Sequence, residues 1–142
     1  MEYIVDKGDK KIIVHAEYTN SYCLLYPIVD GQKAGETKFV ISKEDNVTEL
    51  LSIERYAQFK KHGVASAMLD VMEYMSFEKG VYHIRGWFAP SENERDVERF
   101  YTRNGYKILQ DPYDEENIKI FKALTKEIKN VEEITHTEER TR

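Results

Sequence analysis

Apolar and polar residues alternate through the first third of the chain, and the period then becomes helical. Residues 11–18 (KIIVHAEY) and 22–29 (YCLLYPIV) are rich in β-branched and aromatic side chains, and the turn cluster Thr19-Asn20-Ser21 separates them. A second turn region at 30–35 leads to a third strand-like run at 37–42. Loops this short predict an antiparallel meander. Residues 47–55 read as a further strand, with Leu51 and Ile53 expected on one face. Val64, Met68, Leu69, Met72 and Met75 then recur at helical spacing, ending near Lys79-Gly80. Residues 81–88 return to strand. Ser91-Glu92-Asn93-Glu94 has capping-box spacing, with Ser91 as N-cap and Glu94 three residues on. The helix it opens carries Val97, Phe100 and Tyr101 and stops at Asn104-Gly105, residues suited to a left-handed C-cap. Ile108 marks a short strand and residues 117–124 a last one. Residues 125–142 are polar with mixed charges and read as a loose tail or frayed helix.

The predicted order is β-β-β-β-α-β-α-β-β. Its central strand-helix-strand unit requires a parallel pair with a right-handed crossover inside an otherwise antiparallel sheet. The expected class is therefore α/β with a mixed sheet, one domain over residues 1–124.

Composition narrows the function. The 142 residues hold 21 Lys and Arg against 26 Asp and Glu, so 21 − 26 = −5. That acidic balance argues against an electrostatic nucleic-acid binder. Apolar residues at 41% supply one modest core. No apolar run approaches membrane-spanning length, so no membrane is expected as a partner. The single cysteine, Cys23, excludes an internal disulfide and fits a reducing, cytoplasmic setting. His15, His62, His83 and His136 are scattered, and no metal is expected.

The most informative segment is residues 53–66, IERYAQFKKHGVAS. A glycine opens a helix directly after a strand, followed by the small residues Ala65 and Ser66. The first amides of such a helix are unpaired and carry the positive end of its dipole, which makes an anion site. Lys60, Lys61 and His62 oppose that dipole, a conflict that a bound polyanion relieves. The plain structural alternative is a solvated basic loop.

At these residues the sequence resembles the GNAT superfamily of acyl-CoA N-acyltransferases. The family's Gln/Arg-x-x-Gly-x-Gly/Ala signature, which cradles the CoA pyrophosphate, stands here as Lys60-Lys61-His62-Gly63-Val64-Ala65, with Lys in the first position. A second block, Phe100-Tyr101-Thr102-Arg103-Asn104-Gly105-Tyr106, resembles the family's Phe/Leu-Tyr-x-x-x-Gly-Phe/Tyr segment one strand later. The resemblance spans about residues 49–121. It implies a sheet with a splayed parallel strand pair, acetyl-CoA as cosubstrate, and Tyr101 as proton donor to the departing thiolate. It also implies cofactor contacts from Ile53, Arg55, Lys60, Lys61, His62, Gly63, Val64, Ala65 and Ser66. The family's pantetheine-binding Asn falls at Glu94, with Asn93 one residue away, so Asn93 is the candidate. One or two helices usually follow the family's first strand; only Thr19-Asn20-Ser21 stands here, so the N-terminal helical region is shortened.

An attacking amine must lose its proton. Glu54 and Glu49 are the candidate bases, with Glu54 preferred as nearer the expected bulge; pairing with Arg55 or Arg85 is the structural alternative. His83 reads as structural. Trp87 and Phe88 are either pocket or core. Cys23 and the Met68, Met72 and Met75 stripe read as core. The leading expectation is acetyl transfer to a small-molecule or peptide amine, in a monomer or a homodimer that completes the missing wall. The alternative is a non-catalytic acyl-CoA-binding or interaction module of the same fold.

Overall fold

The structure, a computed structural model, describes residues 1–59, 62–90, 93–110, 112–114 and 116–134. Strands β1 (Glu2–Asp6), β2 (Lys11–Tyr18), β3 (Cys23–Val29), the short β4 (Gln32–Lys33), β5 (Gly35–Ser42) and β6 (Val47–Arg55) come first. A 3-10 turn at Ala57–Phe59 precedes α1 (Val64–Glu78). Then follow β7 (His83–Phe88), α2 (Glu94–Arg103), β8 (Lys107–Gln110), β9 (Ile118–Ala123) and β10 (Val131–Ile134). The strands form one sheet in the order β10-β1-β2-β3-β5-β6-β7-β9-β8, with β4 on β3. Among the described residues only β6 and β7 run parallel, joined through α1; the other strand pairs are antiparallel. This is the mixed sheet that the strand-helix-strand order requires.

Alternation buries one face of the sheet. Val14, Leu25, Phe39, Leu50, Ile84 and Ile120 are each 4% exposed or less, and they pack on Ala67, Met68, Leu69, Val71, Met72 and Met75 of α1. The methionine stripe is core, as expected. The opposite face has no covering helix among the described residues, so the fold has two layers. Cross-strand pairs keep this bare face compatible with water. His15 Nε2 lies 2.9 Å from Glu2 and its ring stacks on Tyr26 at 5.2 Å. Tyr26 OH donates to Glu17 at 3.0 Å, and Arg85 holds Glu49 at 2.6 Å. Where the resemblance implied helices, residues 19–22 form only a tight turn between the paired strands β2 and β3. No helix among the described residues is long and apolar enough to cross a membrane.

Three local expectations are corrected. Residues 131–134, expected within a polar tail, form the edge strand β10: Val131 pairs with Val5 and is 7% exposed. The side chain of Asn130 fastens it, donating to the Asp6 carbonyl at 3.2 Å and to Asp70 at 3.0 Å. The N-cap of α2 is Asn93, so Glu94 is the first helical residue and not the third; Ser91 lies outside the described residues. Leu51 is 49% exposed while Leu50 is buried, because a bulge interrupts the alternation of β6.

Gly86 lies on β7 where it leaves β6. A Cβ there would stand 3.2 Å from the Leu50 carbonyl oxygen and 3.3 Å from Leu50 Cβ. Gly86→Val is expected to wedge the parallel pair open and cost about 1–3 kcal/mol of stability, read by urea unfolding.

Candidate active site

The bulge determines the site. Lys38 faces Ser52 and Phe39 faces Leu50, so Leu51 is an extra residue on β6. Bulges bend and twist a strand. The β6–β7 pairing covers only Thr48↔Ile84, Glu49↔Arg85 and Leu50↔Gly86, although β6 continues to Arg55 and β7 to Phe88. Beyond Leu50 the strands part. A cleft of about 920 Å³ opens there and reaches both faces of the sheet. Ile53, Arg55, Ala65, Phe88, Asn93 and Tyr101 line its helix side; Ser52 and Trp87 line it toward the uncovered face.

The N-terminus of α1 forms one end of the cleft. Gly63 is the N-cap with φ 74°, a left-handed conformation that glycine adopts without a Cβ penalty. No side chain caps this end, and its first turn holds no acidic residue. The first helical bond runs from the Ala67 amide to the Gly63 carbonyl at 3.0 Å. The amides of Val64, Ala65 and Ser66 therefore have no partner among the described residues. Ala65 lines the cleft, but the side chains of Val64, Ser66 and His62 are engaged elsewhere. Val64 is fully buried against Ala34 and Phe59. Ser66 Oγ donates to Asn104 Oδ1 at 2.8 Å and accepts from Lys7 Nζ at 2.8 Å. The His62 ring sits edge-on to Phe59 at 5.8 Å. Only the backbone of these three residues is free to meet an anion. Lys60 and Lys61 lie outside the described residues. Lys10, on the β1–β2 turn, brings its Cε to 3.9 Å from where a Gly63 Cβ would stand, and so adds a cation at this corner.

Tyr101 closes the site from α2. It is 4% exposed and packs against Phe88, Phe100 and Tyr106. Among the described residues no protein group bonds its hydroxyl, yet no buried side-chain nitrogen or oxygen there lacks a partner. The hydroxyl is therefore the part of Tyr101 that reaches the cleft. Burial pushes the phenol up to about 12, so it stays protonated throughout the physiological range.

No family model and no curated protein matches the sequence. Solved structures do. A GNAT-family acetyltransferase of Elizabethkingia anophelis with acetyl-CoA bound superimposes with a TM-score of 0.64 at 14% identity, over 80% of this chain and 98% of that one. The PaiA N-acetyltransferase of Thermoplasma acidophilum, in complex with coenzyme A, gives 0.60 at 21% identity, over 70% and 59%. Ard1 of Thermoplasma volcanium gives 0.61 at 17%, over 72% and 71%. The chain has the GNAT fold. It spans 59% of PaiA and 66% of a GNAT-family protein of Desulfovibrio desulfuricans.

Within this GNAT fold the two candidate bases separate. Glu49 is engaged by Arg85, whose Nε and Nη2 reach one carboxylate oxygen at 3.0 and 2.6 Å. Glu54 has no cationic partner among the described residues. It does not line the cleft. It stands two residues past Ser52 on the uncovered face, in register with Glu36, and so occupies the rim. Trp87 and Phe88 are cleft residues, Trp87 being 40% exposed. The sequence reading passed over Arg99 and Arg103, which line the cleft from α2. With Asp96 they recur at helical spacing on one face, the signal that was available. Arg99 approaches Asp96 at 3.6 Å, while Arg55 and Arg103 make no ion pair among the described residues. His83 is structural: its Nδ1 meets the Asn46 carbonyl at 2.9 Å and its ring stacks on Phe121. Cys23 is 3% exposed, and burial pushes its thiol up to about 11, which leaves it inert as a nucleophile. Among the described residues no group of His, Cys, Asp and Glu could hold a metal.

Proposed function

We propose that the protein is an acetyl-CoA-dependent N-acetyltransferase that moves an acetyl group to a primary amine by direct attack in a ternary complex. The observation that carries this reading is the Tyr101 hydroxyl: protonated, unpartnered and opening into the cleft where β6 and β7 part. A departing thiolate needs a proton or a strong hydrogen-bond donor as the tetrahedral intermediate collapses. Tyr101 offers one from a dry wall.

The residues fit the cosubstrate. A diphosphate would sit on the free amides of Val64, Ala65 and Ser66, where Gly63 permits close backbone approach. Lys10, Arg55, Arg103 and the two lysines at 60 and 61 would surround it with cations. Ile53 and Asn93 would flank the pantetheine arm on the helix side. The acceptor would enter from the uncovered face past Ser52 and Trp87, with Glu54 at the rim to take its proton. The two substrates would thus meet through the gap in the sheet.

CoA binding by calorimetry and thiol release with an amine panel test the proposal. Saturable CoA binding and amine-dependent thiol release are expected; absence of CoA binding overturns it. The double variant Arg55→Ala/Arg103→Ala is expected to weaken CoA binding by about 1–3 kcal/mol, the scale of lost charge-assisted hydrogen bonds. The uncovered acceptor side favours one second reading, a non-catalytic acyl-CoA-binding module, for which CoA binds tightly but no amine is acetylated.

A further inference from the structure

We propose that the acceptor amine is carried by a polypeptide lying across the uncovered face of the sheet, and that Glu54 receives its ammonium group at the rim of the notch. This rests on the acyl-transfer reading above and adds the acceptor's class to it.

The first argument is the missing wall. Small-molecule sites bury about 70–90% of their ligand's surface. Here the cleft emerges on a sheet face that no helix among the described residues covers, between Ser52 and Trp87. A small amine at that exit would be held from one side only. Its binding energy would have to come from elsewhere, and a polypeptide brings it from residues remote from the reacting nitrogen.

The second argument is what the face offers. Leu24 and Ile28 on β3 and Val40 on β5 are half-buried on this face, and Leu51 and Trp87 are 49% and 40% exposed. They give an extended chain apolar footing on the way to the notch. The third argument is charge. Of the carboxylates on β5 and β6, Glu49 is held by Arg85 at 2.6 Å and Glu36 by Lys33 at 2.8 Å. Glu54 alone is left without a cation among the described residues, on a chain of net charge −5. An ammonium group answers that charge; the Trp87 ring, 40% exposed, already carries the Arg85 guanidinium at 5.8 Å and is left to flank an alkyl stem.

The step balances as follows. Nitrogen attack forms the C–N bond and breaks the thioester C–S bond. The ammonium gives one proton to Glu54 and the nitrogen gives a second to solvent as the intermediate collapses. The thiolate takes the Tyr101 proton, which solvent replaces, so one proton is released in net. A lysine side chain and a free N-terminus share this chemistry.

The test uses the full chain, acetyl-CoA and three acceptors. One is a basic peptide of about ten residues with one lysine and a blocked N-terminus; another has no lysine and a free N-terminus; the third is free lysine or spermidine. One of the peptides is expected to exceed the free amines by about 100-fold in kcat/KM. Val40→Lys, on the face but away from the notch, is expected to raise the peptide KM about tenfold and leave free-amine turnover and CoA affinity unchanged. Free amines used as well as peptides overturn the proposal, as does an unchanged peptide KM in Val40→Lys. Light scattering that shows a dimer broken by Val40→Lys also overturns it, since a second copy then covers the face. Failure of CoA binding would instead remove the acyl-transfer reading itself.

Discussion

Tyr101→Phe is expected to lower acetyl transfer by about 10²–10⁴-fold while CoA affinity stays within about threefold. The change removes one oxygen from a ring that is 4% exposed and packed among Phe88, Phe100 and Tyr106. That oxygen bonds no protein group among the described residues, so none of the hydrogen bonds there is lost. Stability in urea should therefore stay within about 0.5 kcal/mol, which separates a catalytic loss from a folding loss. The pH profile adds a second check. The phenol keeps its proton up to about 12, so wild-type turnover should rise with amine deprotonation and then level off, with no falling limb from Tyr101 below that value. The Phe variant should trace the same curve at a lower level. Unchanged turnover would make Tyr101 a cleft-lining aromatic and nothing more.

The sequence was most legible where local pattern and tertiary demand agree. Alternation in residues 11–18 survives as β2, and Gly105 takes the left-handed conformation expected of it. Tyr101 could be located because a residue pattern placed it one strand after Gly63. The illegible parts depend on distant partners. β10 is short and half acidic, and its pairing with β1 joins residues at opposite ends of the chain, which no local pattern shows. A bulge near Glu54 was expected, but its position at Leu51 leaves no mark in composition, since it arises from how β5 and β6 register. Yet it opens the cleft and exposes Leu51 in place of Leu50. Helical spacing likewise groups Arg99 with Arg103 but cannot say which way that face points.

Lys122→Met is expected to cost about 3–5 kcal/mol of stability at neutral pH, the scale for breaking a buried ion pair by removing one partner. Glu73, on α1, has a side chain only 3% exposed. Its two oxygens are satisfied by Lys122 Nζ and Tyr106 OH, each at 2.8 Å. Lys122 also donates to the Asn104 carbonyl at the end of α2, at 2.9 Å. It passes so close to Gly105 that a Cβ there would meet Lys122 Cε at 3.2 Å. Burial pushes the Glu73 carboxyl up, while Lys122 and Tyr106 pull it down. Without the lysine the carboxyl must rise further. A carboxyl raised on folding stabilises the folded state at acid pH, and that contribution is lost as pH climbs through the folded value. The deficit of Lys122→Met should therefore be largest at neutral pH and shrink toward the ordinary carboxylate value of 4.5, as Glu73 takes up a proton. Urea unfolding at both ends of that window checks the sign; a pH-independent deficit would place the loss in packing. The triple variant Glu73→Leu/Lys122→Met/Tyr106→Phe removes the charge, its counter-ion and the buried donor together. It should recover stability to within about 1 kcal/mol of wild type. That recovery should not restore turnover, because the Lys122 bond to Asn104 helps fix the end of α2, and Tyr101 sits three residues before Asn104.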